Sequence, residues 1–218
     1  MEDKRNNQAS ESSRDDLICN RSNDGEMPAI PKLLLASASP RRAEILRTVG
    51  WPFETLAVDI DESRRAGETA ASYVERLALA KAEAAALLRP DSMIVGADTV
   101  VVIQDAILGK PHDEDDARRM LRLLNDLWHQ VLTGVAVFNS VAAESKVAHE
   151  TTEVKFAAMT DDEIAWYVST GEPMDKAGAY AIQGRGARFI EEIKGDYFNV
   201  VGLPVRQLYK LMNEFRSE

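Results

Sequence analysis

Apolar residues along this chain come either in short unbroken runs or at the three- and four-residue spacing of an amphipathic helix. Unbroken apolar runs predict buried strands, and helical spacing predicts helices that present one apolar face. The predicted strands cover residues 32–36, 53–58, 93–103, 128–138, 146–157 and 189–193, with residues 107–108 as a short hairpin partner. The predicted helices cover residues 40–49, 69–88, 113–124, 160–169 and 203–215. This alternation predicts an α/β fold, and the hairpins predict a mixed rather than a purely parallel sheet.

The first residues of the chain, up to about residue 29, have a different composition. They are rich in Asn, Ser, Asp, Glu and Arg, and their only apolar cluster is Leu17-Ile18-Cys19. Such a segment cannot bury enough apolar surface to offset the entropy lost on ordering. We therefore expect a disordered tail over residues 1–30 and a single folded domain over residues 31–218.

Charge and composition narrow the classes of partner. The 218 residues carry a formal net charge of −10, and 45% of them are hydrophobic. A negative chain disfavours nucleic acid and anionic membrane surfaces, although a few cations in a cleft can still bind a small polyanion. The single cysteine, Cys19, argues against an internal disulfide and a multi-cysteine metal site. With no visible secretory signal and no apolar run of roughly 20 residues, we expect a soluble, cytoplasmic protein.

The segment Ser37-Ala38-Ser39-Pro40-Arg41-Arg42 joins the first predicted strand to the first predicted helix. Ser39 is suited to cap that helix, and Pro40 is suited to its first turn. Arg41 and Arg42 then stand where the helix dipole disfavours cations. A bound anion would reverse that penalty, because the free backbone N–H groups and both guanidinium groups could point at it. The segment therefore predicts a binding site for a phosphate or a carboxylate.

Asp98 is an acid inside the apolar strand predicted at residues 93–103. A carboxylate there loses its hydration and needs a partner. One interpretation is a buried acid satisfied by backbone N–H groups. The other is a metal ligand or a general base, which we favour because strands disfavour an acid without such a reason.

Two lysines are further candidates for binding an anion. Lys81 lies on the apolar stripe of the helix predicted at residues 69–88. In one interpretation, the stem of Lys81 packs against the core and its amine reaches water. In the other, the amine binds an anion at the edge of the core. The position of Lys81 in the helix is equally consistent with both interpretations. Lys110 follows the Asp98 strand in the turn Gly109-Lys110-Pro111, a combination that is also common on surfaces.

Three acids, Asp59, Asp61 and Glu62, follow the second predicted strand. Acid clusters of this kind are usually solvated loops. Together with Asp98 they could instead supply oxygen ligands to Mg²⁺, which keeps several waters and shares the phosphates of a substrate.

Residues 172–186 contain three glycines and Gln183. The glycines allow a ligand to approach the backbone closely, and the Gln183 amide can read the edge of a base because it both donates and accepts hydrogen bonds. The other interpretation is an ordinary connection rich in turns. The three histidines, His112, His129 and His149, have no ligand spacing, so we expect them to be structural or solvent-facing.

At these positions the sequence resembles the Maf family of nucleoside triphosphate pyrophosphatases, within the inosine-triphosphatase-like superfamily. The resemblance covers about residues 32–215, and it rests on ordered segments at 35–42, 96–99, 109–111, 175–180 with 183–184, and 201–204. It implies an elongated α/β fold, with a mixed sheet flanked by helices and a central cleft between two lobes. It also implies a homodimer, and hydrolysis between the α- and β-phosphates to give a nucleoside monophosphate and pyrophosphate.

The resemblance assigns roles to single residues. Asp98 matches the catalytic acid of the family. Arg41, Thr99 and Gln183 match positions that separate subfamilies, and their combination resembles the branch that acts on dTTP and UTP rather than the branch that acts on 7-methyl-GTP. Other cleft positions are matched by Ser37, Arg42, Glu62, Lys81 and Lys110.

The expected site divides these residues by chemistry. Ser37, Arg42, Lys81 and Lys110 would bind phosphates. Glu62 and Asp98 would hold a divalent metal, Mg²⁺ or Mn²⁺, and Asp98 would activate the attacking water, directly or through the metal.

Two rival classes of protein would use the same cations. A nucleotide-binding regulator without turnover gains nothing from carboxylates beside phosphates unless a metal is present, and this separates it from a hydrolase. A nucleotidyltransferase needs a second acceptor site, and none is evident. The sequence leaves open whether the physiological substrate is a canonical or a modified nucleotide.

Overall fold

The structure is a computed structural model that describes residues 30–215. The tail predicted at residues 1–30 falls almost entirely outside the described residues, and so does Cys19. Within residues 30–215, no helix has the length and apolar character needed to cross a membrane.

The strands form one mixed sheet of seven strands, which confirms the predicted class. They are β1 (Leu33–Ala36), β2 (Phe53–Thr55), β3 (Met93–Ile103), β4 (Ala106–Leu108), β5 (Trp128–Asn139), β6 (Glu144–Phe156) and β7 (Ile190–Lys194). The order is β2-β1-β3-β5-β6-β7, and β4 pairs with β3. β1 is parallel to both of its neighbours, whereas the other pairs are antiparallel.

The helices flank this sheet. They are α1 (Pro40–Thr48), α2 (Ala70–Leu88), α3 (Glu114–Leu124), α4 (Asp161–Ser169), α5 (Tyr197–Val201) and α6 (Val205–Glu214). Short 3₁₀ turns occupy Glu172–Asp175, Ala177–Ala179 and Gly184–Phe189.

Three of the helices begin where the sequence places a capping side chain. The Thr69 side chain accepts a hydrogen bond from the Ser72 N–H at the start of α2, and Asp113 does the same at the start of α3. Thr160 and Glu163 form a reciprocal capping box at α4. Such caps satisfy backbone N–H groups that the first turn leaves free.

Three predicted bounds differ from the structure by two or more residues. The second strand ends at Thr55 instead of residue 58, and β6 begins at Glu144 instead of residue 146. The last helix begins at Val205, and the separate helix α5 precedes it. α5 is one short turn capped by Asp196, whose side chain accepts the Phe198 N–H at 2.7 Å. Its apolar sequence resembles a strand, so periodicity alone gave no sign of it.

Helix α2 lies directly against the sheet because two strand positions are glycine. A Cβ at Gly96 would stand 2.0 Å from the Ala78 carbonyl oxygen, and one at Gly134 would stand 2.2 Å from that of Val74. No side chain fits at such distances. The space beside Gly96 is filled by α2, which brings this helix close to Asp98.

Two groups of buried residues lie toward opposite ends of the long strands. The first core packs β1 and α2 around Ile94 at the start of β3. The second core packs α3 and α4 around Val101 and Ile103 at its end. The middle of β3 therefore lies between the two cores.

The middle of β3 also lacks a neighbouring strand on one side. β1 pairs with β3 only as far as Gly96, and β4 pairs with it only from Val101. The opposite side is paired with β5 throughout. Among residues 30–215, residues 97–100 therefore border a gap in the sheet.

Candidate active site

A cleft of about 540 Å³ opens at this gap. That volume lies in the usual range of small-molecule sites. Every residue to which the family resemblance assigns a site role lines the cleft: Ser37, Arg41, Arg42, Glu62, Lys81, Asp98, Thr99, Lys110 and Gln183. The fold thus brings together residues from α1, the loop after β2, α2, β3, the turn after β4 and the loop near residue 183.

Asp98 and Glu62 share the ammonium group of Lys81. Its Nζ lies 2.7 Å from Asp98 Oδ1 and 2.7 Å from Glu62 Oε1. The Asp98 and Lys81 side chains are only 13% and 12% exposed, so water screens their attraction weakly. Partial burial raises the pKa of Glu62, but the hydrogen bond and charge of Lys81, with Lys110 and Arg42, outweigh it and hold the pKa below its usual value.

This arrangement decides between the two interpretations of Lys81 and shows which group satisfies Asp98. Lys81 reaches anions, and those anions are the protein's own carboxylates. The hydrogen-bond partner of Asp98 is the Lys81 side chain rather than a set of backbone N–H groups. Asp98 is therefore a charged group at the wall of the cleft.

The wider acid cluster does not assemble around Asp98. Asp61 accepts the Ser63 backbone N–H at 2.9 Å in a local turn, and neither it nor Asp59 lines the cleft. In the described part of the chain, no group of three or more His, Cys, Asp or Glu residues could hold a metal ion. The possible metal ligands reduce to Glu62 and Asp98.

This pair fits Mg²⁺ or Mn²⁺ that also binds substrate phosphates. Such ions are commonly held through only one or two carboxylates when phosphates supply further oxygens. The Lys81 ammonium between the two acids shows that their oxygens favour a cation there.

The start of α1 forms one wall of the cleft. Pro40 occupies the first turn as predicted, but the Ser39 side chain makes no capping hydrogen bond. Ser37 Oγ instead accepts the Ser39 backbone N–H at 3.1 Å. The expected side-chain cap was therefore wrong.

Arg42 is held by neutral oxygens on three sides. Its Nε donates to the Gly202 carbonyl at 2.8 Å, Nη1 to Ser37 Oγ at 3.2 Å, and Nη2 to Thr99 Oγ1 at 3.1 Å. No carboxylate between residues 30 and 215 forms an ion pair with it. Burial lowers the pKa of Arg42, and the nearby Asp98 charge partly offsets this. Its positive charge thus lacks a direct acidic partner.

Arg41 points to another part of the cleft and has an acid of its own. Its Nη1 lies 2.8 Å from Asp175 Oδ2, and Nη2 lies 3.3 Å from the Asp175 carbonyl oxygen. Burial raises the pKa of Asp175, but Lys176 and Arg41 outweigh it and bring the pKa to about 2. The two neighbouring arginines therefore differ, because one is paired with an acid and the other is not.

Thr99 belongs to a chain of buried hydrogen bonds behind Arg42. Its Oγ1 lies 3.0 Å from Thr133 Oγ1, which donates to the Asn199 carbonyl at 2.9 Å. Asn199 Nδ2 donates to the Val131 carbonyl at 2.9 Å and to Thr152 Oγ1 at 3.0 Å. This chain joins Arg42 to the centre of the sheet.

Lys110 and Gln183 have unoccupied polar groups. Lys110 is exposed and makes no ion pair within the described range. Gln183 is half-buried at the cleft wall, and its amide makes no hydrogen bond to any described residue. Both side chains are thus available to a ligand.

The glycines near Gln183 have a different role from the predicted one. A Cβ at Gly178 would lie 2.8 Å from Val101 Cγ2, and Cβ atoms at Gly184 and Gly186 would lie 2.7 Å from Glu172 Oε2 and 2.5 Å from Tyr167 Oη. These glycines let the backbone approach protein side chains instead of a ligand.

Five polar residues that support the site were not predicted from the sequence: Thr133, Tyr167, Glu172, Asp175 and Asn199. Glu172 and Asp175 lie in the segment already considered for Gln183, so their charge was a usable signal. Thr133 faces Thr99 only because of the β3–β5 register, which a single sequence does not show.

The histidines are structural or at the surface, as expected. His149 Nδ1 lies 2.7 Å from Glu75 Oε1, and His112 is exposed. His129 is buried, and its Nε2 lies 2.7 Å from Tyr180 Oη. Burial lowers the pKa of His129 to about 4.

Comparison with known proteins shows the family of the chain. Residues 32–215 match the family described as Maf-like protein. The chain therefore belongs to the Maf-like protein family.

Several curated relatives resemble the chain over nearly their whole length. The dTTP/UTP pyrophosphatase of Symbiobacterium thermophilum is 50% identical over 84% of this chain and 94% of its own. That of Moorella thermoacetica is 50% identical over 84% and 95%, and that of Desulforamulus reducens is 46% identical over 85% and 97%. The solved structure of the Staphylococcus aureus Ham1 protein is more distant, with 17% identity, a TM-score of 0.45, and coverage of 73% of this chain and 79% of that one.

Proposed function

We propose that this protein is a nucleoside triphosphate pyrophosphatase that hydrolyses dTTP and UTP between the α- and β-phosphates. The observation that carries the proposal is the Asp98 carboxylate, which lines the cleft together with Glu62 and the cations Arg42 and Lys110. Carboxylates beside a phosphate site serve chemistry better than binding alone. Relatives named dTTP/UTP pyrophosphatase, at 46% to 50% identity, support the same substrates.

The cations of the cleft would bind the phosphate chain. Arg42 has a guanidinium charge without an acidic partner, and Lys110 is free to move toward a ligand. The first turn of α1 adds backbone N–H groups that have no acceptor within the helix. Ser37 orients Arg42 through its Oγ. Local positive charge of this kind binds a polyanion despite the negative net charge of the chain.

Asp98 would act as the general base. A water molecule beside its carboxylate attacks the α-phosphorus, and the water proton passes to Asp98 as the new P–O bond forms. The bond from the α-phosphorus to the bridging oxygen breaks, and pyrophosphate leaves with that electron pair. Arg42 and Lys110 stabilise the charge on the leaving group, which matters because phosphoryl chemistry depends mainly on positioning and charge neutralisation.

Glu62 and Asp98 would also hold the divalent cation. Mg²⁺ or Mn²⁺ held there would neutralise negative charge on the phosphates. The Lys81 ammonium group, which contacts both acids, would bind a phosphate when those acids hold the cation.

Gln183 would recognise the base. Its amide has a donor and an acceptor with no partner in the described part of the chain, and thymine and uracil offer a ring N–H beside carbonyl oxygens. Arg41 and Thr99 are tied to Asp175 and Arg42. We therefore assign them an indirect part in selectivity, through the shape of the cleft.

The proposal is tested by product analysis. The protein is incubated with dTTP, UTP, dATP or GTP and with Mg²⁺ or Mn²⁺, and the nucleotide and phosphate products are quantified. We expect pyrophosphate with dTMP or UMP, and little product from the purine nucleotides. Nucleotide binding without pyrophosphate release would favour the regulator, and a nucleoside diphosphate with orthophosphate would show cleavage of another bond. Modified pyrimidine triphosphates are further candidate substrates for the same assay.

We also infer a homodimer in the cytoplasm from the family resemblance. Light scattering on the purified protein measures the mass in solution. A mass of one chain across the tested concentrations would contradict the dimer.

A further inference from the structure

Gln183 lies on an irregular loop between Ala179 and Gly184, where no strand or helix fixes its backbone. A group that reads a base must be held within a fraction of an ångström, or its hydrogen bonds lose their selectivity. The structure should therefore contain something that fixes this loop.

Two side chains outside the cleft hold the loop on both sides of Gln183. On the C-terminal side of Gln183, Glu172 Oε2 accepts the Arg185 N–H at 3.0 Å, and Oε1 accepts the Gly186 N–H at 2.9 Å. On its N-terminal side, Tyr167 Oη accepts the Ala181 N–H at 3.1 Å.

The two side chains are also joined to each other. Tyr167 Oη donates to Glu172 Oε1 at 2.9 Å. Tyr167 is fully buried on α4, and its ring packs against Phe189 with centroids 5.6 Å apart. Burial raises the pKa of Tyr167, so the hydroxyl keeps its proton and remains a donor. Tyr167 therefore joins this hydrogen-bonded pair to the second core.

Two glycines let the loop pack closely against Glu172 and Tyr167. Gly184 has a φ of +73°, and Cβ atoms at Gly184 and Gly186 would collide with Glu172 and Tyr167. Larger residues at either position would push the backbone away from the side chains that hold it. The contact of the loop with Glu172 and Tyr167 therefore depends on glycine at these two positions.

We infer that Glu172 and Tyr167 form a clasp that positions Gln183 and so sets the preference for pyrimidine over purine nucleotides. Neither residue lines the cleft, so both are positioning residues. The inference rests on the proposed function, in which the Gln183 amide reads the base.

Tyr167→Phe is the most direct test. It removes one hydroxyl, keeps the ring in the core, and leaves Ala181 N–H and Glu172 with one partner fewer. Hydrogen exchange of residues 181–186 reports the loop, and the ratio of kcat/KM for dTTP to that for dATP reports selectivity. We expect faster exchange and a ratio at least about fivefold lower, the scale of one lost hydrogen bond of about 1 kcal/mol.

Three further variants make the test specific. Tyr209→Phe, on α6 and outside the cleft, is the matched control and should change neither readout. Glu172→Gln should act like Tyr167→Phe, because its carbonyl oxygen cannot replace two carboxylate oxygens and its amide would face an N–H donor. It also keeps the test open if Tyr167→Phe fails to fold. In the double variant with Gln183→Ala, Tyr167→Phe should lower the ratio no further, because both changes act on one interaction.

The outcomes separate this inference from the proposed function. Unchanged exchange in both clasp variants would overturn the clasp, whatever the nucleotide preference. Faster exchange with an unchanged ratio, while Gln183→Ala lowers it, would overturn its part in selectivity. If Gln183→Ala itself leaves the ratio unchanged, the base-reading part of the proposed function is wrong and the inferred effect on selectivity falls with it.

Discussion

Asp98 and Thr99 are neighbours on one strand, yet their side chains meet opposite kinds of surroundings. Asp98 faces α2 and shares Lys81 with Glu62, so that side of β3 is charged. Thr99 faces α1 and α5, where Arg42, Thr133 and Asn199 connect through neutral oxygens. Both reach the same cleft because β3 lacks a neighbouring strand between Gly96 and Val101.

This difference indicates that the two sides of β3 have different roles in the site. On the Asp98 side, Glu62 is more than half exposed, so a cation and a substrate can enter without breaking the core. On the Thr99 side the partners are buried and fixed, and the one charged group, Arg42, has no acid to neutralise it. One side would perform the chemistry, and the other would present a positive charge in a constant place.

The largest effect should come from Asp98→Asn. The amide keeps the size of the carboxylate but accepts no proton from water, so kcat should fall by at least about 100-fold, the low end for general-base catalysis. Steady-state kinetics with dTTP measures this, and thermal unfolding checks the fold. Asp105→Asn, in the exposed turn after β3, is the control. Near-normal turnover in Asp98→Asn would remove the chemical role from this side of the strand.

Arg42→Lys should have the next largest effect. A lysine keeps the charge but cannot donate to Gly202, Ser37 and Thr99 together, so buried acceptors lose their partners. We expect kcat/KM for dTTP to fall by about 10- to 100-fold and the unfolding free energy to fall by about 1–3 kcal/mol. Arg47→Lys, exposed in the last turn of α1, should leave both unchanged. A variant with normal kcat/KM would show that charge alone suffices and that the fixed geometry is unimportant.

Thr133→Val should have a smaller effect through the same side. It removes the hydroxyl between Thr99 and the Asn199 carbonyl, so the hydrogen bonds behind Arg42 are interrupted. We expect the unfolding free energy to fall by about 1–2 kcal/mol and kcat/KM by up to about tenfold, with the loss mainly in KM. Thr133→Ser should restore both, because it restores the hydroxyl. Failure of the serine variant to recover would point to packing instead of hydrogen bonding.

The smallest effect on activity at neutral pH should come from His129→Gln. His129 packs against Phe156 and Tyr180 of the second core and belongs to neither side of the site. The folded protein takes up the proton of His129 only near pH 4, whereas the unfolded chain takes it up near pH 6.5. Lowering the pH through this window therefore favours unfolding, by up to about 3 kcal/mol. His129→Gln should flatten the loss of stability between pH 6.5 and 4.5 and leave activity at pH 7 nearly unchanged. Unfolding curves at several pH values measure it, and an equally steep acid loss in the variant would assign that loss to other groups.

The sequence predicted the elements well where one physical signal dominated. The apolar run at residues 93–103 predicted β3 with its observed bounds. The helices predicted to begin at residues 69, 113 and 160 begin one residue later, after the capping residues Thr69, Asp113 and Thr160. The signal was insufficient for α5, because a single turn with apolar residues carries no periodicity. Thr55 ends β2 where its pairing with β1 ends, and pairing is a property of two segments rather than one.

The candidate site shows the same limit. The residues that line the cleft could be named because their chemistry is unusual at their positions, as for an acid in an apolar strand. Their partners could not be named. Lys81 contacts both Asp98 and Glu62 only because glycines let α2 lie against the sheet. Arg42 contacts Thr99 only because α1 begins beside the gap in the sheet that residues 97–100 border.

In the proposed reaction, water attacks the α-phosphorus of a pyrimidine triphosphate in this cleft. Hydrolysis of dTTP in water enriched in ¹⁸O, with the label located by mass spectrometry, tests this step. We expect one ¹⁸O atom in dTMP and none in pyrophosphate. Label in pyrophosphate, or the formation of dTDP and labelled orthophosphate, would contradict it.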